Sequence, residues 1–504
     1  MELTSVVTRV PFEGKILVLG CGSVAQCTLP LLLRHVVRPD QITVMDFVDN
    51  RARIADEISA GVTYVIDRVE RHNLPEVLGR YLSKGDILMD LAWNIDACEI
   101  LQWAHDAGVM YMNSSVERWD AYTNAHVQDP RERSLYVRHM DVHKMAASWS
   151  TPGPTAVLEH GANPGLVSHL TKDALVTIAN RVLAEGLGGD DASVAEIRSA
   201  LDTKSFNNLA RALGVKVIHI AERDTQISNQ PKEVDEFCNT WSVEGLYEEG
   251  IAPAELGWGT HEIRLPEGAY IHQSGPSNQL ALAAMGMDTH VRTWTPLGEV
   301  HGMVVRHGEA FTISDHLTVW DGDRAVYRPT VHYAYCPTDA AIASLHELRC
   351  RHLVMQSRQR ILNDDIISGA DAMGILLCGH AFKSWWTGSV LDIEASRKLV
   401  PHQSATTVQI AISVMAAVVW IIENPNNGVT VPDEMDYERV LEVAKPYLGT
   451  YYSEPVDWTP MDNRTETDLF ARYNRPSIRG AGAIGPGGAH ELDDETWQFT
   501  TFLV

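Results

Sequence analysis

The sequence predicts an α/β protein in two parts, a parallel, doubly wound sheet followed by a second, mixed α+β domain. Three observations lead there. Strand and helix signals alternate from about residue 15 to residue 113, the pattern of a parallel sheet with crossover helices. A cluster of breakers, STPGPT (150–155), then marks a domain edge. Beyond it, strand signals follow one another with few helices between them, which favours antiparallel pairing. A chain of 504 residues also exceeds one ordinary core.

KILVL (15–19) is an apolar run of strand length, and Ala25–Val37 carries helical spacing. QITVMD (41–46) is the next strand, followed by a helix over Arg51–Ala60. VTYVI (62–66) and GDILMDL (85–91) are the third and fourth strands, Asp96–Ala107 another helix, and VMYMN (109–113) closes the series. In the second domain Val167–Ala179 reads as a helix, and Val215–Ile220, Ala269–His272, Glu299–Arg306 and Arg324–Tyr335 read as strands. Ala405–Ile422 is apolar enough to resemble a membrane span, but it is short for one and holds two Thr, a Gln and a Ser, so it reads as a buried core helix. Met435–Lys445 is a further helix stopped by Pro446, and GAGAIGPGG (480–488) reads as a flexible linker. The resulting division is 1–155, 156–385 and 386–504, the last a helical segment returning to the first domain.

Lys plus Arg number 41 against 66 Asp plus Glu, a net charge of −25. Such a surface repels nucleic acid and anionic membranes and attracts cations. Seven cysteines, an odd number without a C-x-x-C pair, argue against a disulfide framework or structural zinc and fit a reducing cytoplasm. No signal peptide is visible in MELTSVVTRVPFEG.

Gly20-x-Gly22-x-x-Ala25 follows a strand and opens a helix, the setting of a Rossmann dinucleotide fingerprint. The first Gly allows the tight turn, the second lets backbone approach a pyrophosphate, and Ala25 permits close helix–strand packing. Ser23 and Val24 complete the loop. Asp46 ends the second strand, where a carboxylate accepts ribose hydroxyls and repels a 2′-phosphate, favouring NAD; Arg51 and Arg53 are the counter-argument. Asn94, Asp96, Ser115 and Glu117 follow the fourth and fifth strands at the sheet's carboxyl edge, and Asp96 is equally suited to cap its helix. Asn163 in GANPGL either caps a helix or presents its amide to nicotinamide and substrate, with Pro164 beside it. Trp241 with Glu244, Glu248 and Glu249 joins an aromatic face to carboxylates, a pairing that suits a cation. His307-Gly308-Glu309 and Asp371 are further polar candidates, each with a core or capping alternative.

Together GCGSVAQ, ANPGLVS, NTWSVEG, ELGWGTHE and VVRHGEAF resemble the bacterial homospermidine synthases, within the saccharopine-dehydrogenase-like group. The resemblance runs from about residue 14 to the Gly388 region and less clearly beyond. It implies an NAD-binding Rossmann domain with an inserted α/β domain, a homodimer, and NAD recycled as a hydride carrier while two putrescines, or spermidine and putrescine, are joined with loss of ammonia or diaminopropane. It implies roles too: Trp241 holds an ammonium or iminium by cation–π attraction, and Glu249 is the substrate glutamate, with Glu248 its inactive neighbour. Asn163, Glu222, His307, Glu309 and Asp371 match residues lining the substrate channel, with Asp96 and Glu117 beside them. His307 and Glu249 are the alternatives for the base that an attacking amine requires. Two rivals stand against this reading. One is an opine-type carboxyspermidine or saccharopine dehydrogenase, for which a site arginine is expected; the other is an NAD-binding sensor without turnover.

Overall fold

The computed structural model describes residues 10–121, 129–462 and 495–504, so the glycine-rich stretch 480–488 lies outside the described residues. The first sheet has seven strands, all parallel, in the order Val429–Thr430, Ala156–Val157, Met110–Asn113, Ile87–Asp90, Ile16–Leu19, Ile42–Asp46, Thr63–Ile66. Strand order reverses between Ile16–Leu19 and Ile87–Asp90, so a crevice opens at their carboxyl ends, the usual place for a nucleotide. Ile16, Leu17, Val18 and Leu19 are all buried, as expected of a strand covered on both faces.

The second sheet has ten strands and is mixed rather than mainly antiparallel. Its order runs Ala269–Ile271, Gln279–Met285, Pro253–Gly257, Thr330–Cys336, Val217–Asp224, Ala370–His380, Lys383–Asp392, Thr450–Val456, with the hairpin His290–Thr295/Gly298–Met303 branching off Thr330–Cys336. The central pair, Val217–Asp224 with Thr330–Cys336, is parallel, with Glu222 opposite Tyr335. On the other side Asp371 lies opposite Asp224 and Met373 opposite Glu222. Because side chains alternate, Glu222, Asp224, Asp371, Tyr333 and Tyr335 all emerge on one face.

Several boundaries move. Residues 324–335 form two strands, Arg324–Tyr327 and Thr330–Cys336, rather than one. Arg51–Ala60 begins as a 3-10 turn and is α-helical only over Ala55–Ala60. Helices at Leu74–Tyr81 and Leu135–Ala146 were not expected. The limit at 155 falls just before Ala156–Val157, which belongs to the first sheet, and the limit at 385 cuts the strand Lys383–Asp392. Helix Ala405–Glu423 packs on Ser23–His35, and Val429–Thr430 completes the first sheet. Among the described residues it is the one helix long and apolar enough to cross a membrane, and 89% of its apolar window is buried inside the fold.

Candidate functional site

A cavity of about 190 Å³ sits where the two sheets meet, room for a small flexible molecule rather than a macromolecule. Its wall includes Val24, Ser115, Glu117, Asn163, Pro164, Glu222, Trp241, Glu249 and His307.

The dinucleotide loop forms one end. Gly20 has φ +85°, and a Cβ there would lie 2.9 Å from the Leu91 carbonyl, so the turn requires glycine. Nothing lies within 4 Å of a Cβ placed on Gly22, and helix Ser23–His35 has no side-chain cap. Open space above unsatisfied N–H donors is what a pyrophosphate needs, so the residues fit a dinucleotide. Asp46 accepts the Cys21 N–H at 2.6 Å and the Val48 N–H at 2.9 Å, which fixes its carboxylate beside the loop. Arg51 is drawn onto Asp49, at 2.6 Å, and not toward a ribose phosphate. Ser23 Oγ donates to the Trp241 carbonyl, tying the loop directly to the second domain.

Trp241 precedes helix Val243–Ile251, which Ser242 caps by accepting the Gly245 N–H at 3.0 Å. Its indole N–H donates to the Tyr335 hydroxyl at 3.2 Å, leaving the ring half-buried with access to the cavity. Two turns further, Glu249 Oε1 lies 3.0 Å from His307 Nε2, and Glu249 Oε2 is buried with no hydrogen-bond partner among the described residues. His307 Nδ1 is 3.2 Å from Glu309 Oε1, an ion-pair contact without hydrogen-bond alignment. Burial alone would lower the His307 pKa, but Glu309 and Glu249 outweigh it and hold it well above the ordinary histidine value. A cationic imidazole donates protons and does not take one from an amine, whereas Glu249 offers a carboxylate oxygen that can accept one.

Glu222 Oε2 accepts from Asn163 Nδ2 and from the Tyr333 hydroxyl, each at 2.6 Å. Burial pushes its pKa up to about 7 despite these bonds. Asn163 therefore serves Glu222 and does not cap a helix; the cap position is Gly165, which makes no side-chain bond. Behind Glu222, Asp371 is fully enclosed and off the cavity wall, and burial with the neighbouring Glu222 and Asp224 raises its pKa well above the usual carboxylate value.

Three candidates lie elsewhere. Asp96 accepts from Cys98 N and Glu99 N, at 3.0 and 3.1 Å, so it caps its helix. Asn94 is bound to Asp120, accepting its N–H at 2.6 Å, and is off the cavity wall. Glu309 is off the cavity wall and contacts the wall residue His307.

Sequence reasoning missed a buried ion network. Glu248 lies on the wall with Arg306, bonds that guanidinium and sits 3.1 Å from Arg138 Nη2, while Trp93 Nε1 donates to it at 3.3 Å. Glu117 lies 3.9 Å from Arg138 and accepts from Ser115 Oγ at 2.7 Å. Burial and Glu248 push the Glu117 pKa up to about 7, against the pull of Arg138. Glu248 is thus the residue through which two domains share charge. Its one signal in the sequence, a second acid beside Glu249, gave no hint of arginines far along the chain.

Residues 16–157 match the saccharopine dehydrogenase NADP-binding domain family, and residues 161–454 the saccharopine dehydrogenase C-terminal domain family. Over 460 residues the chain is 40% identical to a homospermidine synthase from Blastochloris viridis, covering 90% of this chain and 93% of that one. It belongs to the homospermidine synthase family. A second family member, from Mesorhizobium japonicum, is 37% identical over 90% of this chain and 92% of its own. The crystal structure of a homospermidine synthase from Legionella pneumophila in complex with NAD superimposes with a TM-score of 0.82 at 33% identity, covering 98% of this chain and 99% of that one. The expected fold, an α/β dinucleotide-binding domain joined to a second mixed domain, is the fold of this family.

Proposed function

We propose that this protein makes homospermidine by moving an aminobutyl group from one putrescine, or from spermidine, onto a second putrescine, with NAD bound as a recycled carrier. The observation that carries this reading is the pairing of the Trp241 face with Glu249, His307 and Glu222 at the mouth of the dinucleotide crevice. When bound, NAD takes a hydride from the carbon beside the reacting amine and later returns it, so no cofactor is consumed. The family model names NADP, but Asp46 beside the loop disfavours a 2′-phosphate and supports NAD.

The side chains divide the remaining work. An amine must be neutral to lose hydride or to attack carbon, and Glu249 Oε2 is placed to take its proton. The indole face of Trp241 stabilises the ammonium or iminium centre, and Glu222 faces the cavity as an acid able to hold or release a proton near neutral pH. The rival opine-type reading asks for an arginine free to hold a substrate carboxylate. Arg306 does reach the wall, but its guanidinium is engaged by Glu248 and by the Arg133 carbonyl at 3.2 Å. A sensor without turnover gives no account of Glu249 Oε2, a buried carboxylate oxygen left without a hydrogen bond. The seven free cysteines support a reducing, cytoplasmic setting, and a homodimer belongs to the same reading.

The test is to incubate purified protein with putrescine and substoichiometric NAD. Homospermidine and ammonia in many-fold excess over NAD are expected; one product per added reductant would overturn the reading. Trp241→Ala should lower kcat/KM by roughly 3- to 30-fold, the equivalent of about 0.5–2 kcal/mol for a cation over an aromatic face. Trp241→Phe should retain part of that loss. Equal kinetics in the two variants would mean that the ring face does not hold the cation.

A further inference from the structure

A buried acid–base pair, Glu159 with His139, adjoins the cavity. Glu159 lies on the cavity wall, 2% exposed, and is held with φ +54°, a backbone region that non-glycine residues rarely occupy. Its N–H is fixed by Asn113 Oδ1 at 2.7 Å. Its carboxylate crosses to the second domain, where Oε2 would lie 1.5 Å from a Cβ on Gly308, the residue between His307 and Glu309. A glycine at 308 is what lets this carboxylate sit between the two. On its other side Glu159 Oε2 is 2.7 Å from Nε2 of His139, a histidine that is completely buried and whose Nδ1 has no hydrogen-bond partner among the described residues. His139 lies one turn before His143 on helix Leu135–Ala146, with ring centroids 6.5 Å apart, and His143 is exposed.

We propose that Glu159 and His139 are the second half of a proton relay joining the amine site to solvent, running from Glu249 through His307 and Glu309 to Glu159, His139 and His143; Glu249–His307 and Glu159–His139 are hydrogen bonds, and side-chain rotation closes the His307–Glu309, Glu309–Glu159 and His139–His143 steps. This rests on the amine-transfer reading above. Two diammonium substrates give one triammonium product and one ammonium ion, so the overall reaction neither releases nor consumes protons. Within the cavity, however, each reacting amine must shed one proton, and the leaving ammonia and the new secondary amine must each regain one. Only protons move along the relay: one arriving at Glu249 is balanced by one leaving His307 Nδ1 toward Glu309, and each passes outward or back as the cycle demands. The charged groups facing Glu159 are His139 from helix Leu135–Ala146 and His307 and Glu309 from the segment opening helix Glu309–His316; those facing His139 are Glu159 and His143, with the Phe311 ring beside both histidines. Glu159 and His139 are positioning and proton-passing residues; neither is assigned contact with the reacting carbon.

The test is the pH profile of kcat for Glu159→Gln and His139→Gln, side chains that keep the shape but cannot ionise. Around pH 7 both should turn over about 10- to 100-fold more slowly than the wild type, below the range of about 10²–10⁴-fold for losing a general acid or base because neither touches the reacting atoms. The deficit should shrink toward pH 10, where more diamine arrives already neutral. A deficit equal at every pH, or none, would overturn the relay. Gly308→Ala, which displaces the Glu159 carboxylate without removing an ionisable group, should show the same pH-dependent deficit. If the buried variants fail to fold, as read by thermal midpoint and NAD affinity, the exposed His143→Gln decides: a smaller deficit of the same pH sign is expected, and a profile matching the wild type overturns the exit. Because each comparison is a ratio to wild-type turnover of putrescine, failure of the function reading appears separately, as a wild type that forms no product.

Discussion

Glu249→Gln should lower kcat by about 10²–10⁴-fold, the loss that follows removal of a positioned general base. Glutamine has the same shape and keeps an oxygen for the His307 Nε2 contact at 3.0 Å, but it cannot accept a proton at the position of the free Oε2. The thermal midpoint should fall less than in a variant that strands a charge, since glutamine keeps the oxygen that His307 contacts and Glu309 still faces the imidazolium, although one of its two counter-charges is gone. Binding of NAD should be unchanged, because the Glu249 side chain bonds His307 and not the glycine loop. Turnover by Glu249→Gln within threefold of wild type would assign the base elsewhere, with Glu222 the next carboxylate on the wall.

Glu248→Ala should give the opposite signature, a loss of stability of about 3–5 kcal/mol from stranding buried charge. Two arginines converge on this carboxylate, and their side chains are 2% and 5% exposed, so removing Glu248 leaves two nearly buried guanidinium charges without this counter-ion. Differential scanning calorimetry on the two variants side by side checks both expectations. A thermal midpoint for Glu248→Ala equal to that of wild type would show that the network contributes nothing. Two adjacent glutamates on one helix are thus expected to separate by readout, the Glu249 variant in turnover and the Glu248 variant in stability.

What the sequence disclosed, and what it hid, follows from how each feature is encoded. The dinucleotide half was legible because glycine spacing, apolar strands and a terminal acid at Asp46 are local patterns. Trp241, Glu249 and His307 were found because a family resemblance tied distant motifs together, and the structure brings the three to one cavity. Helix Leu135–Ala146 was missed for a physical reason. Its buried face carries Arg138 and His139, so the apolar periodicity that marks most helices is interrupted by the very residues that make it useful. The roles of Glu159, Glu248 and Arg306 were hidden too, since each depends on a partner far away in sequence. Asp96 shows the converse. A capping residue and a ligand are written with the same letter, and its bonds to Cys98 N and Glu99 N decide for the cap.

The return of the chain to its first sheet bears on how the molecule is born. The edge strand Val429–Thr430 and the apolar helix Ala405–Glu423 that covers Ser23–His35 emerge from the ribosome hundreds of residues after the glycine loop. Until then the nascent N-terminal half exposes an oily groove and an unzipped strand, a state that invites chaperones and aggregation. The nucleotide-binding half is therefore not an excisable module, and a premature stop before residue 430 leaves it as incomplete as the half that was never made.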